Sequence, residues 1–267
     1  MQFSILGPLS VTYAGHSVTP SSPKLRQLVA FLAVNANRPV SVEACMEELW
    51  EDRPPTTAKS TLQSHVLHLR RIFAGVPDIE TLAGAHRFLR TTSGGYLLSA
   101  EAGGVDVEVF DQHMARAHAA QARGEDRLVS AAYADALAVW RGPALTDVQC
   151  GPLLQAHTTL LGERRLYAHE QRIEADLRLA RHHELLVELS FLTAEHPMNE
   201  NLHRQRMVAL HRAGRTADAL SVYHRLRRVL DDELGIEPSP RLRRLHTSVL
   251  TGEPSLEPAL PSPSYQS

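Results

Sequence analysis

Nine side chains within residues 56–74 (TTAKSTLQSHVLHLRRIFA) are of types that engage nucleic acids: Lys59, Ser60, Thr61, Gln63, Ser64, Leu67, His68, Arg70 and Arg71. Cations suit phosphates, hydroxyls and amides suit phosphates or base edges, and a leucine can meet a thymine methyl. No acid occurs between Asp52 and Asp78. A merely solvated helix face usually mixes acids with bases at i,i+4 spacing, so a run of bases and small hydrogen-bonding residues departs from that pattern. Plain solvation is the alternative for Gln63, Ser64 and His68. Leu67 has two readings, contact with a thymine methyl or packing beneath a neighbouring hairpin. Arg70 and Arg71 suit backbone phosphates, or else offset the helix dipole.

The element that must carry these side chains reads as one helix. Ala58, Leu62, Val66, Leu69 and Phe73 recur at spacings of four, four, three and four, and at about 100° per residue they form one apolar stripe. Upstream, residues 2–12 read as two short strands broken by Gly7-Pro8, with a third at residues 16–19. Ser22 and Pro23 fit the cap and first position of a helix whose Leu25, Leu28, Val29 and Leu32 face inward. Residues 38–40 are extended, and Ser41 caps a second helix over residues 42–50, with Glu43 in its first turn. Downstream, residues 80–89 and 95–99 read as two strands joined by a polar reversal at residues 91–94. Arg87, Arg90 and Thr92 lie on that hairpin. Two short helices, a longer basic one and a hairpin are the parts of a winged helix, whose third helix enters the major groove.

From Asp106 onward the texture becomes helical. Residues 163–181 pair with 184–195, and residues 199–213 with 216–234, at a repeat of about 34 residues, near the tetratricopeptide period. Ala219, Leu220 and Tyr223 supply small and large packing positions. Gly235, with Ile236 as the apolar contact after it and Pro238 as a stop, closes the last pair. A final helix runs from Ser239-Pro240 to about residue 250. Residues 252–267, rich in Pro and Ser, are expected to be disordered.

Composition narrows the function classes. The net charge of -2 hides an asymmetry: residues 1–100 hold nine Lys/Arg against seven Asp/Glu, and residues 101–267 nineteen against twenty-three. An anion-binding surface is therefore expected in the first hundred residues. Cys45 and Cys150 form no CxxC pair and read as free buried thiols in a reducing compartment. With no signal region and no apolar run of membrane-spanning length, a cytoplasmic location without membrane contact is expected. Among the fifteen histidines, His65 and His68 lack a third ligand, and His182-His183-Glu184 places adjacent rings that do not converge. No HExxH, GxxxxGK[ST], strand-associated GxGxxG or GxSxG is present. Neither an enzyme nor a cofactor is expected.

TLQSHVLHLRR in the third helix and GGY closing the hairpin resemble the OmpR-type winged helix. The form TTAKSTLQSHVLHLRRIF resembles that of the Streptomyces antibiotic regulatory protein family. AYADALAVWRGPAL is similar to the opening of that family's bacterial transcriptional activation domain, and residues 174–238 are similar to its most recognisable block. The resemblance covers nearly the whole chain. It implies a mainly α protein, with an N-terminal winged helix-turn-helix and small β-sheets at residues 1–100. An all-α, tetratricopeptide-like activation domain would follow at residues 105–250. It further implies activation of an antibiotic or other secondary-metabolite gene cluster. The implied partners are double-stranded promoter DNA at direct repeats, occupied by pairs of protomers, and RNA polymerase with its sigma factor. Related wings often carry an arginine three residues before the final Gly-Tyr; here that place holds Thr92, and Arg87 and Arg90 stand in for it from the preceding strand. Without a receiver or ATPase module the chain resembles the short, pathway-specific form. An adaptor that binds no DNA, or a repressor using the same face, is the alternative.

Overall fold

A computed structural model describes residues 1–76 and 79–253. By internal contacts the chain forms two compact units, one of Met1–Ala115 with Ala134–Ala168, the other of Arg116–Tyr133 with the described residues from His169 on.

The first unit begins with three short antiparallel strands, β1 (Gln2–Ser4), β2 (Ser10–Tyr13) and β3 (His16–Ser17), with Phe3 opposite Val11. Helix α1 (Pro23–Val34) starts with proline at its first turn, although the Ser22 side chain makes no capping bond. Strand β4 (Val40–Ser41) leads into α2 (Val42–Trp50), where the Ser41 hydroxyl accepts from the Ala44 N–H at 3.0 Å. The basic helix, α3, spans Ala58–Ala74, and its stripe of Ala58, Leu62, Val66, Leu69 and Phe73 is buried. Phe73 meets Phe3 edge to face at 6.5 Å, which fixes the helix against the first sheet.

The hairpin differs from expectation in its first arm. Residues 82–85 form a helical turn, α4 (Leu82–Ala85), because the Thr81 hydroxyl accepts from the Gly84 N–H at 3.0 Å and caps it. Only then does β5 (Leu89–Thr92) pair with β6 (Gly95–Leu98), and β6 also pairs with β4, giving the order β4-β6-β5. Gly95 permits that pairing. A Cβ there would stand 1.8 Å from the Val40 carbonyl oxygen.

Helices α5 (Asp106–Ala122), α6 (Asp126–Ala138), α7 (Pro152–Arg178), α8 (His182–Glu195), α9 (Glu200–Arg212), α10 (Thr216–Leu234) and α11 (Pro240–Thr251) complete the described chain. In the second unit α8 and α10 start 34 residues apart, and Ala219 and Tyr223 are buried in a cluster with Met207, Leu226 and Leu242. Gly235 adopts the left-handed conformation that ends α10, but the Ile236 side chain remains exposed where an apolar contact was expected. Of the tail expected at residues 252–267, residues 254–267 lie outside the described residues.

Helix α7 begins eleven residues before the expected start at 163. The reason is a distant cap. Glu48 of α2, 1% exposed, accepts from the Gly151 N–H at 2.7 Å and the Leu154 N–H at 2.9 Å. A carboxylate there both satisfies the open donors of the helix start and opposes its positive dipole end. Gln27 holds the same carboxylate at 3.0 Å. Two further acids act alike within this unit. Asp106 accepts from the Ile5 and Leu6 N–H groups at 2.9 Å, and Asp147 from the Leu9 N–H at 2.7 Å while pairing with Arg26. Burial raises the Asp106 pKa, and the two N–H groups and Arg141 counter it. The first unit thus extends well beyond residue 100, through residues that follow the winged helix in sequence.

Cys45 is buried, and burial, followed by Glu43 and Glu48, pushes its thiol up to about 12; Cys150 is only half-buried, short of the burial expected.

Glu48→Ala leaves two donors at the start of α7 without their acceptor. Loss of about 2–4 kcal/mol of stability is expected, measured by urea denaturation of the full chain. An unchanged midpoint would mean that the cap contributes nothing.

Candidate nucleic-acid interface

Burial of its stripe leaves α3 one free side. Lys59, Ser60, Gln63, Ser64, Leu67, His68 and Arg71 are exposed, and Thr61 is half-buried. Leu67 is 38% exposed, which leaves part of its side chain available to a ligand. The Ser60 and Ser64 hydroxyls donate back to the Thr57 and Ser60 carbonyls at 2.9 and 3.0 Å, which leaves their oxygens as acceptors. His65 belongs to the inner side. It stacks on Trp50 with ring centroids 6.3 Å apart, and burial, then His68 and Lys24, lowers its pKa.

Arg70 corrects the expectation of a phosphate contact. Its guanidinium is buried, donating from Nε to the Leu89 carbonyl and from an Nη to the Thr91 hydroxyl, both at 2.9 Å. Burial lowers its pKa. The side chain is a strap that sets the wing strand β5 against α3, and one step in helical angle separates it from exposed Arg71. That difference depends on where β5 lies, which periodicity within α3 does not reveal.

The wing brings some of the remaining residues near this face and holds others back. Arg90 projects exposed from β5, and Thr92 opposes Gly95 at the tip. Arg87 precedes the strand; its Nε donates to the Gly84 carbonyl at 3.3 Å and its guanidinium lies over the Phe88 ring at 5.5 Å. Among the described residues, Lys59, Arg71 and Arg90 form no ion pair. Lys59 and Arg71 on α3 and Arg90 on the adjoining hairpin, without acidic partners, raise the local potential toward a polyanion.

One feature escaped the sequence reading. The cap residue of α3, Thr57, makes no side-chain capping bond, and the first turn holds no acid; the Ala58 N–H donates to the Pro55 carbonyl at 2.9 Å, which leaves the Lys59 and Ser60 amides open to a phosphate. The acid-free gap between Asp52 and Asp78 was its signal.

Residues 16–85 match the family described as "Transcriptional regulatory protein, C terminal", and residues 105–250 that described as "Bacterial transcriptional activator domain". The chain is 44% identical to Regulatory protein DnrI of Streptomyces peucetius, over 96% of this chain and 94% of DnrI. It is 34% identical to Transcriptional regulator RedD of Streptomyces coelicolor, over 96% of this chain and 72% of RedD. A solved structure of Mycobacterium tuberculosis EmbR, in complex with a low affinity phosphopeptide, superposes with a TM-score of 0.86 at 35% identity. That match covers 95% of this chain and 65% of the EmbR chain.

Arg70→Ala should free the wing. Faster hydrogen exchange across β5 and β6 is expected, with DNA affinity lowered and the salt dependence of binding unchanged, since no phosphate contact is lost. A flattened salt slope would return Arg70 to the phosphate-binding set.

Proposed function

This chain belongs to the Streptomyces antibiotic regulatory protein family of transcriptional regulators, and from that premise we propose that it activates a secondary-metabolite gene cluster by binding direct repeats in promoter DNA. The observation that carries the reading is the acid-free face of α3, which bears Lys59 and Arg71 exposed and unpaired, with Arg90 exposed and unpaired on the wing strand. In this reading α3 enters the major groove. Gln63, Ser64, Leu67 and His68 meet base edges, Lys59, Thr61 and Arg71 meet phosphates through their side chains and Ser60 through its backbone N–H, and Arg90 and Thr92 reach the flanking backbone with Arg87 behind them. Direct repeats call for protomers side by side, head to tail, rather than an isologous pair.

Residues 1–100 would serve as the reading head and residues 105–250 as the part that contacts RNA polymerase and its sigma factor. Val187 and Phe191, 83% and 67% exposed on the same side of α8, support protein contact by the helical half. No helix among the described residues is long and apolar enough to cross a membrane. A cytoplasmic regulator with no enzymatic activity of its own fits the regulators it resembles.

Selection from randomised duplexes at two salt concentrations tests the reading. Enrichment of a short repeated motif, bound less tightly as salt rises, is expected; folded protein that enriches nothing would favour the adaptor. Within that assay Arg71→Ala should lower the salt slope by about one unit for the phosphate lost, and an unaltered slope removes Arg71 from the interface. Gln63→Ala should change the preferred sequence instead, by about 1–3 kcal/mol at one base pair; an identical selected motif would show that Gln63 reads nothing.

A further inference from the structure

Helix α8 is apolar on two sides. Leu185, Leu189 and Leu192 are buried in the second unit, while Val187 and Phe191, one turn apart, stand exposed on another side of the helix. A helix that only closes a core needs one such stripe. Beside the second stripe a groove of about 460 Å³ runs between α8, α9 and the start of α10. Leu186 and Leu210 line it from within, continuous with the core cluster that holds Tyr223 and Leu226.

The charge of this groove is one-sided. Arg206 lines it from α9, held in place as its two Nη atoms donate to the Thr193 hydroxyl at 2.8 Å and the Ser190 hydroxyl at 3.1 Å. Its charged neighbours are Arg225, Arg215 and Asp218. Asp218 is bound to Arg215 at 2.7 Å, and neither Arg206 nor Arg225 forms an ion pair among the described residues. Burial lowers the Arg206 pKa, Arg225 and Arg215 lower it further, and Asp218 counters. Three arginines thus face one acid. The acids of α8 stand elsewhere. Glu188 pairs with His169 and Arg172 of α7, and by helical angle Glu184 and Glu195 lie on the side of Phe191 away from Ser190. An apolar ridge with guanidinium groups along one flank favours a ligand that is apolar in the middle and anionic along one edge.

We propose that this groove docks an acidic amphipathic helix of a partner protein, its large apolar side chains at i,i+4 spacing against Val187, Phe191 and Leu186 and its carboxylates on Arg206 and Arg225. The furrow follows two packed helices and suits a third laid along it. Carboxylates match the forked donors of arginine. A lining that is aliphatic but for Phe191 gives successive bases little to stack on, which sets nucleic acid aside. The proposal rests on the reading of the helical half as the part that meets other proteins, and it does not depend on DNA binding by α3.

Selection of displayed helical peptides of about 16 residues against the full chain tests the surface, with apolar positions fixed and the others randomised among acidic, basic and neutral side chains. Enrichment of acidic peptides is expected. In fluorescence anisotropy Phe191→Ser should weaken the enriched peptides by roughly ten- to hundredfold. Arg225→Glu should weaken them by roughly tenfold, a gap that narrows as salt rises. Both side chains are exposed, so neither variant should lower the melting temperature. Arg243→Glu, exposed on α11 outside the groove, makes the same change in net charge and should leave the affinity unaltered. No enrichment, enrichment of basic or uncharged peptides, or equal losses in Arg225→Glu and Arg243→Glu would overturn the proposal. So would self-association of the parent that Phe191→Ser abolishes, which would give the surface to a second copy. Acidic peptides that bind as described while no DNA motif is selected would support the groove and count against α3 alone.

Discussion

The buried Glu48 carboxylate is the constraint on which the first unit rests. A carboxylate at 1% exposure is tolerated only where its lone pairs are filled, and here the Gly151 and Leu154 amides and Gln27 fill them. The bond works in both directions. It starts α7 at Pro152, and it ties α2, the helix on which α3 packs, to a segment a hundred residues later. Close approach is built into the site, since a Cβ on Gly151 would lie 2.0 Å from the Glu48 carbonyl oxygen. Asp106 and Asp147 repeat the device against the first sheet, so three acids bond backbone amides far from them in sequence.

The same economy shapes the recognition face. Arg70 spends its donors on the wing strand and thereby sets the angle at which Arg90 stands relative to Arg71. Gly95 spends its missing side chain on the pairing of β6 with β4. What remains exposed on α3 is what neither core nor wing uses: bases, hydroxyls, an amide and one leucine.

Local pattern revealed the elements whose causes are local. The stripe from Ala58 to Phe73, the Ser41 cap and the Gly235 stop are each written within one or two turns of sequence. The misreadings have distant causes. The start of α7 is set by Glu48, and the fate of Arg70 by a strand that begins at Leu89. The helical turn at residues 82–85 is the exception, since its Thr81 cap is written three residues from the Gly84 amide that it serves. For the interface itself, residue type marked the exposed face well, yet it could not separate Arg70 from Arg71, which are adjacent, identical in chemistry and opposite in environment.

The acids at 106 and 147 also order events during synthesis. The amides of Ile5, Leu6 and Leu9 leave the ribosome among the first, but their acceptors emerge 100 to 138 residues later, and the partners of Glu48, at 151 and 154, later still. Contacts of such sequence separation close slowly. A nascent chain halted near residue 100, or a proteolytic fragment ending there, holds every residue of the recognition helix and the wing while lacking the groups that complete their support. The first unit therefore completes its backbone bonding only once residues 106–154 are made, which disfavours stable truncated copies that carry α3 and the hairpin alone.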